Sequence, residues 1–428
     1  MSLSWDQAVS WLVLLAVLFN LVTGRIRFDI GAFAGLVILG LLRVAEPQEL
    51  FNGFANPALF TVAIVLVMSA GFVESGILTG LGQGIANRLK NHQHQIFALS
   101  MASGFLSTLM NNIGAIGLIL PTAQRMASRA RVDQGIYGMP LVYACILGGS
   151  ITLIGTSGNI IVASFRRQAL GESFRMFDFA PQGLAMAGAG IMLWLISYLA
   201  GSLKKNEDMK QANAAKAPMP SDRPVPSGPP RSKKNTAIVL GSIIPAVFLT
   251  GWGFMHPAVG FSVVVLIMVA AGILKYEQAY ESLNLPVIIF IGCMLSLTQI
   301  LQSNGALAMI ITPVHHSLQD LPPFWLVLAL IASTALLANI LDNSVAAVLM
   351  APTVILLYQS GGIGVALDAM LMAVAAGSSL GIVVPSHQVT MVAMLATGFS
   401  PQSFMKSGAV ICCFAMLAAA LVITRVWA

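Results

Sequence analysis

Long uncharged apolar runs recur along this chain, and they constrain its fold more than any other feature. Residues 57–73, 139–165 and 408–424 each lack a charged side chain. Such runs suit the hydrocarbon core of a bilayer, which is about 30 Å thick. Only 9% of the 428 residues are charged and 57% are hydrophobic, so a soluble domain would lack the charge to cover its surface. The sequence therefore predicts an all-α integral membrane protein with several spans.

A basic segment interrupts the apolar pattern at residues 202–235. It holds eight of the 22 basic residues and accounts for +5 of the formal net charge of +6. Its prolines and glycine disfavour helix and strand, so the segment is interpreted as a linker. The positive-inside rule predicts that this linker is cytoplasmic. Nucleic-acid binding is a weak alternative, because no nucleic-acid-binding fold accompanies the charge.

Several other functional classes find no support in the motifs. The N-terminal residues lack a basic n-region and a cleavage site, so the first apolar run is expected to be retained as a span. The four cysteines lie in apolar runs without CxxC or Cys/His spacing, which predicts packing roles rather than disulfides or zinc. No HExxH motif occurs, so the chain is not expected to be an enzyme. No cofactor is expected beyond a bound sodium ion.

The linker separates two halves of similar length that repeat each other. Pro57 pairs with Pro286 at an offset of 229 residues, and Asn112 pairs with Asn343 at an offset of 231. Nearly constant offsets predict an internal repeat. Five predicted crossings in each half would give the repeats opposite orientations, which is the inverted topology of secondary transporters. The predicted units are a first repeat over 1–201, the linker over 202–235 and a second repeat over 236–428.

Two segments remain after the crossings are assigned, and both carry polar residues in the middle of apolar sequence. Each is predicted to contain two helices of about 15 residues, which meet at Asn111 and Asn112 or at Asp342 and Asn343. Helices this short favour re-entrant hairpins with tips near the middle of the membrane. Backbone groups at such tips must line protein or a water-filled cavity. The predicted hairpins cover residues 95–127 and 323–359.

Two predicted spans each contain a stretch that suits a helix poorly. In the first span the residues are Gly155, Thr156, Ser157, Gly158 and Asn159. In the second span Pro385 breaks the helix before Ser386, His387 and Gln388. The N-termini of the resulting half-helices favour an anion, while unwound carbonyls and side-chain oxygens suit a small cation. The predicted broken spans cover residues 138–170 and 364–398.

Together these features resemble the divalent anion:sodium symporter family, the permeases related to solute carrier family 13, within the ion transporter superfamily. The resemblance rests on two asparagine-bearing tips, each followed nine residues later by proline, and on the polar breaks "GTSGN" and "PSHQ". It implies an elevator transporter, usually a homodimer, in which hairpins and broken spans move against a static scaffold. A multi-pass protein of a bacterial inner membrane is expected.

The residues and the resemblance together indicate a substrate site and a cation site. The expected substrate-binding residues are Asn112, Thr156, Ser157, Asn343, Ser386, His387 and Gln388. The expected cation-binding residues are Asn111, Asn112, Gly155, Asn159, Asp342, Asn343 and Ser344. The family's Ser-Asn-Thr tip triplet is only partly present, which leaves the substrate and the coupling ion open.

Some of these residues also have simpler explanations. Asp342 is costly at mid-membrane depth, which favours a functional role, but it also suits an N-cap of the following helix. His387 is either a proton carrier or a hydrogen-bonded core histidine. Asn111 and Asn112 are either ligands or partners of the hairpin backbone.

The sequence predicts a secondary active transporter for a small inorganic or dicarboxylic anion, driven by sodium or protons. Its partners would be that anion, the coupling ion, the lipid bilayer and a second copy of the chain. The alternative within transport is a cation/proton antiporter or an arsenite-type efflux permease, which Asp342 and His387 favour. A channel is less consistent with inverted repeats, which suit alternating access.

Overall fold

The computed structural model describes residues 4–76, 89, 91–130, 132–199, 233–307, 321–385 and 387–428. Within these ranges the regular structure is helical and no strand occurs. This agrees with the predicted all-α chain, since a helix satisfies its backbone hydrogen bonds internally. Most of the predicted linker lies outside the described residues, and the described chain resumes at Lys233.

Nine α-helices are described before the linker, and a short 3-10 turn at Asn52–Ala55 joins the third to the fourth. They are α1 (Trp5–Thr23), α2 (Phe28–Leu41), α3 (Pro47–Phe51), α4 (Pro57–Glu74), α5 (His92–Leu109), α6 (Asn112–Ala130), α7 (Gly135–Gly149), α8 (Ser157–Leu170) and α9 (Ala180–Leu199).

Nine α-helices are also described after the linker. Their long and short members follow in the same order as those before it, with one short helix in third place. They are α10 (Lys233–Gly251), α11 (Pro257–Ala270), α12 (Tyr276–Glu281), α13 (Leu285–Ser303), α14 (Pro323–Ile340), α15 (Asn343–Gln359), α16 (Leu367–Ser378), α17 (Gln388–Thr397) and α18 (Pro401–Val426). Each helix of the second half corresponds to the helix nine places earlier. The short helices α3 and α12 were not predicted from the apolar pattern.

Capping residues in the sequence determine where several helices begin. Ser4 Oγ accepts a hydrogen bond from Gln7 N at 3.3 Å at the start of α1, and Asn56 Oδ1 accepts one from Ala58 N at 2.9 Å at the start of α4. Proline is the first residue of α4, α11, α14 and α18. A cap satisfies an orphan N–H group, and a proline at this position has none to satisfy, so these residues stabilise helix starts.

Five helices within the described residues are long and apolar enough to cross a membrane: α4, most of α10, α13, α14 and α18. Other helices also present apolar side chains outward, with Leu12 of α1 69% exposed and Leu266 of α11 66% exposed. Many apolar side chains at such exposure suit lipid rather than water. The architecture is therefore that of a multi-pass integral membrane protein.

The helices on either side of the polar tips are longer than predicted. Helices α5 and α6 contain 18 and 19 residues, and α14 and α15 contain 18 and 17, where about 15 were expected. An 18-residue helix extends about 27 Å, close to the thickness of the hydrocarbon core. Helix length therefore gives no support to the argument for re-entrant hairpins, which remain a prediction.

Each predicted broken span contains two helices and an irregular segment. Helix α7 ends at Gly149 and α8 begins at Ser157, while α16 ends at Ser378 and α17 begins at Gln388. The prediction was wrong in detail, because Ser157, Gly158 and Asn159 form the first turn of α8 rather than unwound backbone. The unwound residues lie earlier, and the extended Thr156, at φ −139° and ψ 144°, ends them.

Helices of the first half pack against helices of the second half around these breaks. Helix α6 of the first half packs against α17 of the second, and α15 of the second half packs against α8 of the first. Gln124 Nε2 on α6 donates to Ala396 O on α17 at 2.6 Å. Packing between the two halves also occurs elsewhere: α2 packs against α13, and α4 packs against α11. Residues from both halves therefore surround each break.

One hydrogen bond between these helices has no equivalent in the described part of the second half. Helix α4 packs against α8, and Ser164 Oγ donates to Asn56 Oδ1 at 2.7 Å. At the 229-residue offset the corresponding residues are Ala393 and Leu285, whose side chains cannot form this hydrogen bond. The described conformation thus differs between the halves at this contact.

Candidate functional site at the helix breaks

The two polar tips use the same capping geometry. Asn111 Oδ1 accepts a hydrogen bond from Ile113 N at 2.6 Å, and Asp342 Oδ1 accepts one from Ser344 N at 2.9 Å. A side-chain oxygen that accepts from the first turn of a helix acts as an N-cap. The capping role considered for Asp342 is therefore confirmed, and it uses one carboxylate oxygen.

The second carboxylate oxygen of Asp342 faces α17. Its Oδ2 lies 3.7 Å from His387 Nδ1. The His387 side chain is 7% exposed, whereas the Asp342 side chain is 56% exposed. A carboxylate at membrane depth avoids hydrocarbon and faces water, protein or an ion. The exposed part of Asp342 therefore marks a hydrophilic region that suits a cation.

Serine hydroxyls join the first break to the second tip. Ser157 Oγ lies 2.6 Å from Ser344 Oγ, so the first turns of α8 and α15 are in contact. Gly158 allows α8 to pack closely on the end of α16, because an added Cβ would overlap Ser378 Oγ, whereas its contact with Asn343 O would be an ordinary one at 3.7 Å. Two helix N-termini in contact carry partial positive charge, which favours an anion between them.

The other predicted residues of the first break support its backbone. Thr156 is buried and makes no side-chain cap. Gly155 packs closely on the α5 backbone, where an added Cβ would lie 2.6 Å from Ser107 O. Asn159 Nδ2 donates to Ser150 O at 3.2 Å and to Thr152 O at 2.8 Å. Only the carboxamide oxygen of Asn159 is therefore chemically suited to a cation.

Asn339 holds the second break in place, and the sequence analysis missed it. Its Nδ2 donates to Leu380 O at 2.9 Å, and its Oδ1 accepts from Val383 N at 2.8 Å and from Val384 N at 3.0 Å. These bonds replace helical hydrogen bonds that the irregular segment cannot make. The signal was an asparagine in an apolar run four residues before Asn343.

The two tip asparagines differ in their hydrogen bonds. Asn112 Oδ1 accepts from Ser107 Oγ. Asn343 Oδ1 is buried and has no hydrogen-bond partner among the described residues, and the same is true of His387 Nε2. Of the remaining predicted residues, Ser386 and the side chain of Gln388 lie outside the described part of the chain.

An ion pair connects the far end of α8 to α16. Arg166 donates to Asp368 through Nε at 2.8 Å and through a terminal nitrogen at 2.9 Å, and its guanidinium lies 4.7 Å from the centre of the Phe174 ring. The Arg166 and Asp368 side chains are 17% and 23% exposed. This bidentate pair fixes α8 against α16. It gives Arg166 a structural role that the sequence had not indicated.

The polar groups around the breaks are mostly neutral. Hydroxyls and carboxamides provide most of the contacts, and Asp342 and His387 are the titratable members. Within the described ranges, no group of three or more His, Cys, Asp or Glu side chains could hold a metal ion. The arrangement is thus suited to reversible binding of small ions.

Comparison with known proteins identifies the family. A family model described as "Citrate transporter" matches residues 15–377. The chain belongs to the citrate transporter family. Members of the citrate transporter family move solutes across membranes, so the chain is a membrane transporter by family rather than an enzyme. The resemblance to sodium-coupled anion permeases of the ion transporter superfamily is confirmed at this level.

Curated relatives match part of this member of the citrate transporter family. An uncharacterized transporter of Synechocystis, sll0640, is 29% identical over 42% of this chain and 30% of its own length. Probable sodium/sulfate cotransporter 3 of Chlamydomonas reinhardtii is 26% identical over 34% of this chain and 17% of its own length. The matches thus span less than a third of each of these relatives.

Solved structures share the fold over most of the chain. The YdaH transporter of Alcanivorax borkumensis superposes with a TM-score of 0.63 and 11% identity, over 90% of this chain and 88% of that one. MtrF of Neisseria gonorrhoeae superposes with a TM-score of 0.55 and 15% identity, over 92% and 85%. At these identities the likeness shows the fold alone.

Proposed function

We propose that this protein is a secondary active transporter that moves a small inorganic or carboxylate anion and is coupled to sodium or protons. The observation that carries the proposal is the contact between the first turns of α8 and α15, beside Asp342 and His387. Helix N-termini favour an anion, and the adjacent carboxylate favours a cation. Relatives named as sodium/sulfate cotransporters agree with an anionic substrate and sodium as its partner.

We also propose an elevator mechanism with re-entrant hairpins in inverted repeats. The moving part would comprise α5–α8 and α14–α17, and the scaffold would comprise α1–α4 and α10–α13. The reciprocal packing supports this division, since α6 with α17 and α8 with α15 fall in one group, whereas α2 with α13 and α4 with α11 fall in the other. The nearly constant sequence offset supports the repeats.

The proposed topology makes a direct prediction about sidedness. With inverted repeats and a cytoplasmic linker, Ser4 lies on the outer side of the membrane and Lys234 on the cytoplasmic side. A membrane-impermeant thiol reagent added to intact cells should label cysteine at position 4 but not at position 234. The reverse pattern, or labelling of both, would contradict the proposal. Homodimer formation, also proposed, is checked by native mass spectrometry.

A cation/proton antiporter or arsenite-type efflux permease is the second candidate. The pair formed by Asp342 and His387 favours it, because a carboxylate and an imidazole, here 3.7 Å apart, are the two side-chain types that commonly carry protons. Such a protein would export its solute, and this export would depend on the proton gradient. It would not accumulate an organic anion or sulfate. Uptake of an anion driven by a sodium gradient argues against this candidate.

A thermal-shift screen followed by uptake assays tests the proposal. Purified protein is heated with sulfate, succinate, citrate, phosphate or arsenite, with and without sodium, because a bound ligand raises the apparent melting temperature by mass action. The proposal predicts stabilisation by at least one anion, and stronger stabilisation when the coupling ion is present. Proteoliposomes loaded with protein should then accumulate that anion. A protein that neither binds nor accumulates any of these solutes would overturn the proposal.

A further inference from the structure

The second tip has an open hydrogen-bonding position that the first tip fills. Asn112 Oδ1 accepts from Ser107 Oγ, whereas Asn343 Oδ1 is buried without a hydrogen-bond partner among the described residues. The difference arises five residues before each asparagine, where the first half has Ser107 and the second half has Ala338, both 0% exposed. The first tip therefore satisfies its carboxamide internally, and the second does not.

A second unpaired atom lies close to the first. His387 Nε2 is buried and has no partner among the described residues, and the His387 residue is 7% exposed. A Cβ added to Gly381 would lie 2.9 Å from Asn343 Oδ1 and would overlap His387 Nε2, so both atoms lie beside Gly381. Buried polar atoms in native proteins almost always have partners. Two unpaired atoms at one place indicate that a ligand group pairs with them.

The neighbouring carboxylate decides which kind of group fits. Asp342 Oδ2 lies 3.7 Å from His387 Nδ1 and favours the imidazole tautomer that carries its hydrogen on Nδ1. In the neutral imidazole His387 Nε2 is then an acceptor, and so is Asn343 Oδ1. Two acceptors cannot pair with each other and require a hydrogen-bond donor, since an imidazole nitrogen is a poor ligand for a hard cation such as sodium. An oxyanion without hydrogen would leave both atoms unpaired.

We infer that Asn343 and His387 recognise an O–H group on the transported anion. The substrate class is then an anion that carries a hydroxyl or a protonated oxygen, rather than a fully deprotonated anion of similar shape. This inference rests on the proposed transport function and narrows its substrate. A buried site built to hydrogen-bond a substrate hydroxyl rejects an analogue without it strongly, because its polar atoms would stay unpaired. We expect a preference of about tenfold or more.

Two pairs of probe anions test the inference, because the members of each pair differ mainly in the O–H group. Phosphate at neutral pH carries an O–H and sulfate does not, and malate carries a hydroxyl that succinate lacks. Each anion is titrated in thermal-shift experiments and in uptake by proteoliposomes. In at least one pair, the O–H member should bind or compete at a concentration about tenfold lower than its partner.

A substitution copied from the first half provides the matched variant. Ala338→Ser supplies the donor that Ser107 supplies to the first tip, so it should occupy Asn343 Oδ1, raise the melting temperature without ligand, and reduce the preference for the O–H anion. Ala338→Cys adds an atom of similar size with a weak donor and serves as the control for bulk. The control variant should keep most of the preference.

The outcomes separate this inference from the proposed function. Binding or uptake that favours sulfate over phosphate and succinate over malate, or that favours neither member, overturns the O–H requirement and leaves anion transport intact. Equal effects of Ala338→Ser and Ala338→Cys also overturn it, since bulk would then explain the result. If no anion of either pair binds or is transported, the proposed function fails and the inference fails with it.

Discussion

Replacement of Asn339 by leucine tests whether this side chain holds the second break together. Leucine has a similar volume but loses the bonds to Leu380 O, Val383 N and Val384 N. A buried polar group left without its partner costs about 1–3 kcal/mol. Val383 and Val384 are only partly buried, so water can replace some of the loss. We expect the free energy of unfolding to fall by about 3–5 kcal/mol.

Unfolding of the detergent-solubilised protein, followed by circular dichroism during titration with a denaturing detergent, measures this loss. Ser333→Ala is the matched control on α14, because Leu330 O of the same helix, at 3.1 Å, is the partner of Ser333 Oγ among the described residues. The control should change the free energy of unfolding by less than about 0.5 kcal/mol. If the Asn339→Leu protein unfolded like the control, Asn339 would have no special role at the break.

Three further predictions follow from other contacts. Asp342→Asn keeps the helix cap but removes the charge. In proteoliposomes, the sodium concentration that gives half-maximal uptake should rise, or the pH dependence of uptake should disappear. If both responses were unchanged, Asp342 would be only a helix cap. Arg166→Lys loses the bidentate geometry toward Asp368. The free energy of unfolding in denaturing detergent should therefore fall by about 1–2 kcal/mol. A variant as stable as the parent protein would contradict this. Ser164→Ala removes the hydrogen bond to Asn56. The distribution of distances between spin labels on α4 and α8 should therefore become broader. An unchanged distribution would refute this expectation.

The positions of the long apolar helices and of both breaks could be predicted because each depends on local sequence. Apolar runs define the helices, and Gly155 and Pro385 interrupt them in otherwise uniform surroundings. The first turn of α8 was misassigned because Ser157 and Asn159 have poor intrinsic helix propensity. Tertiary contacts overrode that propensity, since Ser157 packs on Ser344 and Asn159 bonds to the preceding irregular segment.

The partners of the polar residues could not be predicted, because they depend on which helices pack together. Arg166 and Asp368 are 202 residues apart, and nothing in the local sequence links them. Asn339 gave a local signal, as an amide in apolar sequence, but its partners at the break lie on a segment 41 to 45 residues away. The difference between Ser107 and Ala338 was visible in the aligned halves, yet its meaning depends on the tip geometry.

The packing of helices from one half against helices of the other has a consequence for the order of folding. Ser157 meets Ser344 across 187 residues, and Gln124 meets Ala396 across 272 residues. During synthesis the first half therefore enters the membrane with α6 and α8 lacking their partners, and their polar residues remain unmatched until the end of the chain emerges. Contacts between such distant residues form slowly, because a long loop must close before they are gained. Completion of the proposed ion site is thus expected to be a late step of biogenesis, and a chain truncated before α17 should insert helices without assembling that site.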